Sequence, residues 1–123
     1  MCYVEDFEEK KQMIEDYFKT IGDTRFLEVL NKFKVVVGFA LSCKCCEFAS
    51  EYRLEEEGYF GESGVNFSMI PPLVEEEVYA IIDYKTFFDY LKLICEDYLK
   101  RFPNNSDEVN QCLVKIGERF NIS

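Results

Sequence analysis

Glu47, Glu51, Glu55, Glu56, Glu57, Glu62, Glu75, Glu76, Glu77 and Asp83 crowd the stretch from Cys45 to Tyr84, and Arg53 is the only cation among them. Carboxylates at that density can hold a divalent metal or attract a basic partner. The stretch carries a net charge of −9. Its flanks are near neutral, with eight acids against seven bases over Met1 to Lys44 and six against six over Lys85 to Ser123. The formal charge of −10 is therefore one localised field. Such a field steers an oppositely charged partner and hastens encounter, at a cost in self-repulsion while the partner is absent. The plainer use of the same charge is a solvated surface that keeps the protein soluble.

Enzymatic chemistry has little to build on. The chain has no histidine, which removes the commonest general base and with it the Ser-His and Cys-His nucleophile designs. Gly58-x-x-Gly61-x-x-Gly64 lacks both the strand-to-helix setting of a phosphate loop and the Lys-Ser/Thr that follows one. Asp83-Tyr84-Lys85, downstream of Glu75 to Glu77, matches the carboxylate-x-lysine step of metal-dependent nucleases. Such a site needs two or more carboxylates converging on a metal beside the lysine. No upstream half is identifiable, and Asp83 has a simpler role as a helix cap. Cys43-Lys44-Cys45-Cys46 suggests zinc, yet structural zinc sites draw on paired Cys-x-x-Cys or Cys/His knuckles, and there is no second cluster. Cys2, Cys95 and Cys112 complete a set of six thiols with no regular framework. The expectation is free thiols, no metal, no cofactor and no catalytic set.

Aromatic side chains change the meaning of the acids. Tyr52, Tyr59, Phe60 and Tyr79 interleave with the carboxylates. At an interface, acids supply association rate and register, while desolvated aromatic anchors supply residence time. The expected binding surface is Glu55, Glu56, Glu57, Tyr59, Phe60 and Glu62, with Glu75, Glu76 and Glu77 across a hairpin. Its partner is a basic protein, because a −9 centre repels nucleic-acid phosphates. The competing reading is that Tyr59 and Phe60 simply pack beneath the loop.

These residues must be positioned by a small fold. With 123 residues, 48% hydrophobic and 16% aromatic, the chain is expected to form a single domain, 1–123, with a sizeable core. No apolar run approaches the roughly 18 residues of a membrane span. The opening Met1-Cys2-Tyr3-Val4-Glu5-Asp6 lacks the basic start and apolar stretch of a signal peptide, so a cytoplasmic protein is expected. Two N-terminal helices are predicted. The first covers Val4 to Ile21 and ends at Gly22-Asp23; the second is capped by Asp23 or Thr24 and stops near Gly38. Val35-Val36-Val37 fits either the end of that helix or a strand. Cys45 to Ser50 is a short extended candidate, and Gly58, Gly61, Ser63 and Gly64 are turn signals. Val65-Asn66-Phe67-Ser68-Met69 alternates as a half-buried strand, and Pro71-Pro72 separates it from an extended return over Glu75 to Tyr84. That makes a small antiparallel sheet of two or three strands. Two C-terminal helices follow, one from Asp83 to Phe102-Pro103 and one opening at Ser106, giving an α+β fold with helices over one sheet face.

Cys46-x-Phe48, the acidic loop, Gly64-Val65-x-Phe67 and the return into Ile81-Ile82-Asp83-Tyr84 resemble the immunity proteins of bacterial contact-dependent growth inhibition (CDI) systems. Thr86-Phe87-Phe88-Asp89-Tyr90-Leu91-x-x-x-Cys95-Glu96-x-Tyr98 is similar to their C-terminal helix, and Asp107 to Phe120 to the helix that closes them. The resemblance covers Cys45 to Ile122 and is nearest to the group that confers immunity to ribonuclease toxins. It implies a non-catalytic cytoplasmic protein that binds the basic nuclease domain at the C-terminus of a large toxin and blocks its substrate. Gly61-Glu62-Ser63, Pro71-Pro72-Leu73 and Cys43-Lys44-Cys45 depart from the pattern near the expected binding surface. Two other readings stay open: an acidic mimic of nucleic acid that inhibits a DNA-binding protein, and an adaptor unrelated to toxins.

Overall fold

The computed structural model describes residues 2–57 and 59–122. Gly58, expected in a turn, lies outside them. The chain opens with β1 (Cys2–Tyr3) and α1 (Phe7–Lys34), lays down β2 (Phe39–Leu41), β3 (Lys44–Phe48), β4 (Val65–Met69) and β5 (Val78–Ile82), and closes with α2 (Tyr84–Arg101) and α3 (Ser106–Arg119). The class is α+β, as expected, with three helices and five strands among the described residues.

Asp6 starts α1, its side chain accepting a hydrogen bond from the Glu9 N–H at 3.1 Å, while Glu8 and Glu9 sit at the positive end of the helix dipole. Ile14, Tyr17, Ile21, Phe26, Val29, Leu30 and Phe33 recur at helical spacing and are buried. The two separate N-terminal helices expected from the sequence are in fact one element, kinked at Gly22. There φ is 71° and ψ 170°, outside the helical region. A Cβ on Gly22 would meet nothing within 4 Å, so glycine is required by its backbone angles rather than by space. Asp23 heads no second helix. It accepts two hydrogen bonds from the Arg101 guanidinium of α2, at 2.9 and 3.0 Å.

Val35-Val36-Val37 forms neither helix nor strand. The Val35 N–H bonds back to Lys32, and Val36 lies at φ 58°. The next residue, Gly38, passes so close to β3 that a Cβ would lie 2.0 Å from the Cys46 carbonyl oxygen. Glu51, in a single 3-10 turn after β3, clamps this approach. Its Oε1 accepts from the Gly38 N–H at 3.1 Å and from the Phe48 N–H at 2.8 Å.

The sheet runs β1-β5-β4-β3-β2. It has more than the two or three strands expected, and it is mixed: β1 is parallel to β5, while the remaining neighbours are antiparallel. β1 and β2, at two and three residues, are too short to carry a readable alternation. β4 occupies the expected Val65–Met69. The return strand starts at Val78 rather than Glu75; Glu75 and Glu76 lie in bends after the turn at Pro71-Pro72.

Successive strand residues point to opposite faces. Cys46, Phe48, Val65, Phe67, Ala80 and Ile82 turn toward the helices and are buried. Edge-on aromatic contacts fill that layer, with ring centroids 5.4 Å apart for Phe33 and Phe48, 5.6 Å for Phe48 and Phe87, and 5.3 Å for Tyr17 and Phe67. Asp83 caps α2 through the Thr86 N–H at 2.7 Å, and α2 ends at Arg101, ahead of Phe102-Pro103. Val109, Cys112 and Ile116 bury α3, and Phe120 beyond it stacks on Tyr84 at 4.1 Å. No helix among the described residues is long and apolar enough to cross a membrane.

Candidate functional site

The sheet face turned away from the core carries polar side chains in register. Glu47 of β3 stands opposite Asn66 of β4, and Ser68 of β4 stands opposite Tyr79 of β5, with Tyr3 of β1 beside Tyr79. They face this way because Phe48, Phe67 and Ala80, their neighbours in sequence or register, take the core side. The loop after β3 folds over them. Tyr52, Glu57, Tyr59 and Phe60 join the sheet residues, with Ile70 and Glu77, around a hollow of about 360 Å³. Asn66 and Ser68 are only 5% and 3% exposed beneath it.

Hydrogen bonds fix the walls. Glu47 Oε2 accepts from the Tyr52 hydroxyl, and Glu77 Oε2 accepts from the Tyr79 hydroxyl. The Tyr79 hydroxyl is pushed up to about 12, first by its bond to Glu77 and then by desolvation. Tyr52 is raised further, by burial first and then by Glu47. Both hydroxyls therefore stay protonated and act as donors at neutral pH. Neither Glu47 Oε1 nor Glu77 Oε1 has a hydrogen bond among the described residues. Asn66 Oδ1 is buried with no hydrogen-bond partner among them. Tyr52 and Phe60 meet at 6.3 Å, and Tyr3 and Tyr79 at 5.4 Å, so aromatic rings flank the acceptors on both sides. No lysine or arginine lines the hollow among the described residues. It is a recess rich in acceptors and π faces, suited to a cation.

Of the residues expected from the sequence, Glu57, Tyr59, Phe60 and Glu77 are brought together here. Tyr59 and Phe60 are half-buried as walls of the hollow. Glu55, Glu56, Glu62, Glu75 and Glu76 are exposed on the adjoining loops and do not line it. Glu56 accepts from the Arg53 N–H at 3.0 Å, and Glu76 from the Cys2 thiol at 3.5 Å. Glu51 and Asp83, counted in the same acidic stretch, serve the fold as a clamp and a cap. Sequence reasoning missed Asn66, Ser68 and Tyr3 as parts of the site, and it noted Glu47, Tyr52 and Tyr79 among the acids and rings of the segment without placing them in the expected binding surface. The polar positions of the Val65–Met69 alternation were the available signal for two of them; Tyr3, in a two-residue strand, had none.

Among the described residues the ion pairs are Lys85 and Lys92 with Asp89, Arg101 with Asp23 and Asp97, and Lys115 with Glu118. None draws on Glu55, Glu57, Glu62 or Glu75. Two larger hollows lack this bias. One, of about 500 Å³ at the kink of α1, sets Lys11, Lys19 and Arg101 against Glu15, Asp23 and Asp97. The other, of about 680 Å³ beside α3, carries Lys34, Lys115 and Arg119 against Asp107 alone.

Cys45 and Cys46 project to opposite faces of β3, and Cys43 sits in the turn before it. Among the described residues no group of three or more Cys, Asp or Glu is placed to hold a metal ion. Asp83 is engaged as a cap, and Lys85 pairs with Asp89 at 2.7 Å.

A family model described as CDI immunity protein matches residues 10–113, from α1 through the sheet into α3. The chain belongs to the CDI immunity protein family. Among curated proteins, none matches it. Membership in this immunity family means that the protein neutralises a CDI toxin. The match takes in the whole of β2 to β5, and so includes every lining residue of the hollow except Tyr3 of β1.

Proposed function

We propose that this immunity protein neutralises a ribonuclease toxin by laying its acidic face over the basic surface on which that toxin holds RNA. One observation supports the reading: Glu57, Tyr59, Phe60 and Glu77 meet at one sheet face with no lysine or arginine lining it, and Glu55, Glu62 and Glu75 beside it form no ion pair among the described residues. A ribonuclease needs lysines and arginines to grip phosphates, so a surface with the opposite sign fits the same groove and excludes substrate. Such a binder acts in the cytoplasm of the cell it protects and performs no catalysis. The contact surface is Glu55, Glu56, Glu57, Tyr59, Phe60 and Glu62 with Glu75, Glu76 and Glu77. Tyr59 and Phe60 serve as anchors and the glutamates as a steering rim. Loss of either ring costs ~2 kcal/mol or more of affinity, and loss of one rim glutamate much less.

The test uses the C-terminal domain of the toxin encoded directly upstream of this protein. The two proteins are expected to co-purify, and RNA cleavage by the domain should stop at equimolar immunity protein. Replacing Glu55, Glu56 and Glu57 together by lysine should slow association, with little change in thermal stability, and the wild-type association rate should fall as salt rises. The control is the same reversal at Glu8 and Glu9 on α1. An equal loss from that control places the binding surface elsewhere, and cleavage of DNA but not RNA by the domain removes the ribonuclease.

A further inference from the structure

We propose that the hollow between the sheet face and the loop after β3 is a socket for one arginine side chain of the toxin. The inference deepens the reading above and rests on it for the identity of the partner, though not for the chemistry of the socket. Asn66 carries it. The residue is only 5% exposed, it lines the hollow, and its Oδ1 is buried with no hydrogen-bond partner among the described residues. A buried polar atom left in that state is costly, and folded proteins satisfy nearly all of them. An acceptor left unpartnered at the base of a recess is matched by a donor that arrives from outside, once the side chain turns toward it.

The walls decide which donor. Glu47 and Glu77 each accept a tyrosine hydroxyl on Oε2 and leave Oε1 open among the described residues. Glu57 adds a third carboxylate. The incoming group must therefore be cationic, offer several donors and need no acceptor. Guanidinium meets all three conditions, with five N–H donors in a planar fork. It also stacks on aromatic faces, which Tyr59, Phe60 and Tyr79 supply at the walls. An ammonium can satisfy one carboxylate but is more strongly hydrated and has no plane to stack. A metal ion is disfavoured because no three acidic or thiol groups among the described residues converge closely enough to ligate one. At about 360 Å³, the hollow lies near the small end of ligand pockets, a size for one side chain and its stem.

The experiment titrates the full-length, isotope-labelled protein with Nα-acetyl-arginine amide and follows it by NMR. The uncharged isostere Nα-acetyl-citrulline amide and the lysine analogue serve as comparisons. The arginine probe is expected to shift the Asn66 side-chain amide and the backbone signals of Glu47, Asn66 and Tyr79 saturably. The citrulline probe should leave them in place, and the lysine probe should bind more weakly. Asn66→Leu and Glu77→Gln are each expected to weaken the arginine probe roughly tenfold, since each removes an acceptor from a charged donor. The proposal is overturned if the hollow signals do not move, if citrulline matches arginine, or if both variants bind as the wild type does. The same variants separate the two readings. Unchanged affinity of both for the toxin domain sinks the socket and leaves immunity intact. Capture of the arginine probe by a protein that ignores the toxin domain keeps the socket and removes the partner.

Discussion

Replacing Asn66 by leucine should make the protein more stable. The perturbation keeps the branching and the number of side-chain heavy atoms, with the extra bulk of the two methyl groups taken up beside the hollow, and β4 is a central strand in which asparagine is a poor resident. Leaving a buried oxygen without a partner costs about 1–3 kcal/mol, and leucine removes that cost while adding buried apolar surface. Any donor bonds of the amide are lost in exchange, so the net gain should lie near 1 kcal/mol. For a chain of this length that corresponds to a rise in Tm of roughly 3–6 °C. Urea unfolding followed by circular dichroism measures it directly: the midpoint should rise with an unchanged m value. Asn66→Asp is the companion, because a carboxylate buried beside Glu47 and Glu77 should destabilise. If Asn66→Leu proves less stable than the wild type by 1 kcal/mol or more, the carboxamide is supporting the fold, and the reasoning about an open acceptor fails.

Three further outcomes follow from the geometry. Gly22→Ala should lower stability by about 1–3 kcal/mol in urea, although nothing lies within 4 Å to clash, because φ 71° with ψ 170° is a region reserved almost entirely for glycine. Asp83→Ala should cost about 1 kcal/mol at neutral pH. The bond from the Thr86 backbone holds Asp83 below its ordinary value of 3.8, so its contribution is present above that value and is lost as pH falls through the folded one. The gap between variant and wild type should thus narrow in acid, and a gap that does not narrow as pH falls below 3.8 assigns the loss to something other than the charged cap. In the native protein, Ellman's reagent should reach Cys2 and Cys43 quickly. Cys45, Cys46, Cys95 and Cys112 should respond only on unfolding, since burial shields them and raises their thiols, Cys95 to about 12. Stoichiometric zinc in protein purified without added metal, lost on serine replacement of Cys43, Cys45 and Cys46, would contradict the reading of these cysteines as plain thiols.

What was legible in the sequence were the features set by local chemistry. Asp83 and Pro103 bracket α2 as expected, and the alternation of Val65 to Met69 gives β4 without error. Gly22 announced the break in α1 and the restart just after it, but not that the two arms join as one kinked element without a separate cap, because that depends on packing both over one sheet. β1 could not be found: two residues paired in parallel with a strand seventy-six positions away leave no local trace. β2 was hidden by the valines before it, whose β-branched character suggested structure at 35–37 when the strand actually begins at Phe39. The site was half visible. Its charge and rings were plain, whereas Asn66 and Ser68 looked like solvent-facing residues of an ordinary alternation. They become buried only because a loop more than five residues earlier in the chain closes over them.

The Glu51 clamp has a bearing on how genetic experiments on this protein should be read. Survival screens reward any cell that keeps its protection, and they do not distinguish a lost handshake from a lost protein. On the proposed contact surface, a lysine at Glu55 is expected to leave a folded molecule that meets its partner badly. A lysine at Glu51 instead releases two backbone N–H groups, one on each side of the crossing from α1 into the sheet, and places a cation where both donors point. Both changes would then score as sensitive and both replace an acid in the same stretch, yet only the first would report on recognition. Steady-state abundance, measured beside survival, separates the two kinds of glutamate.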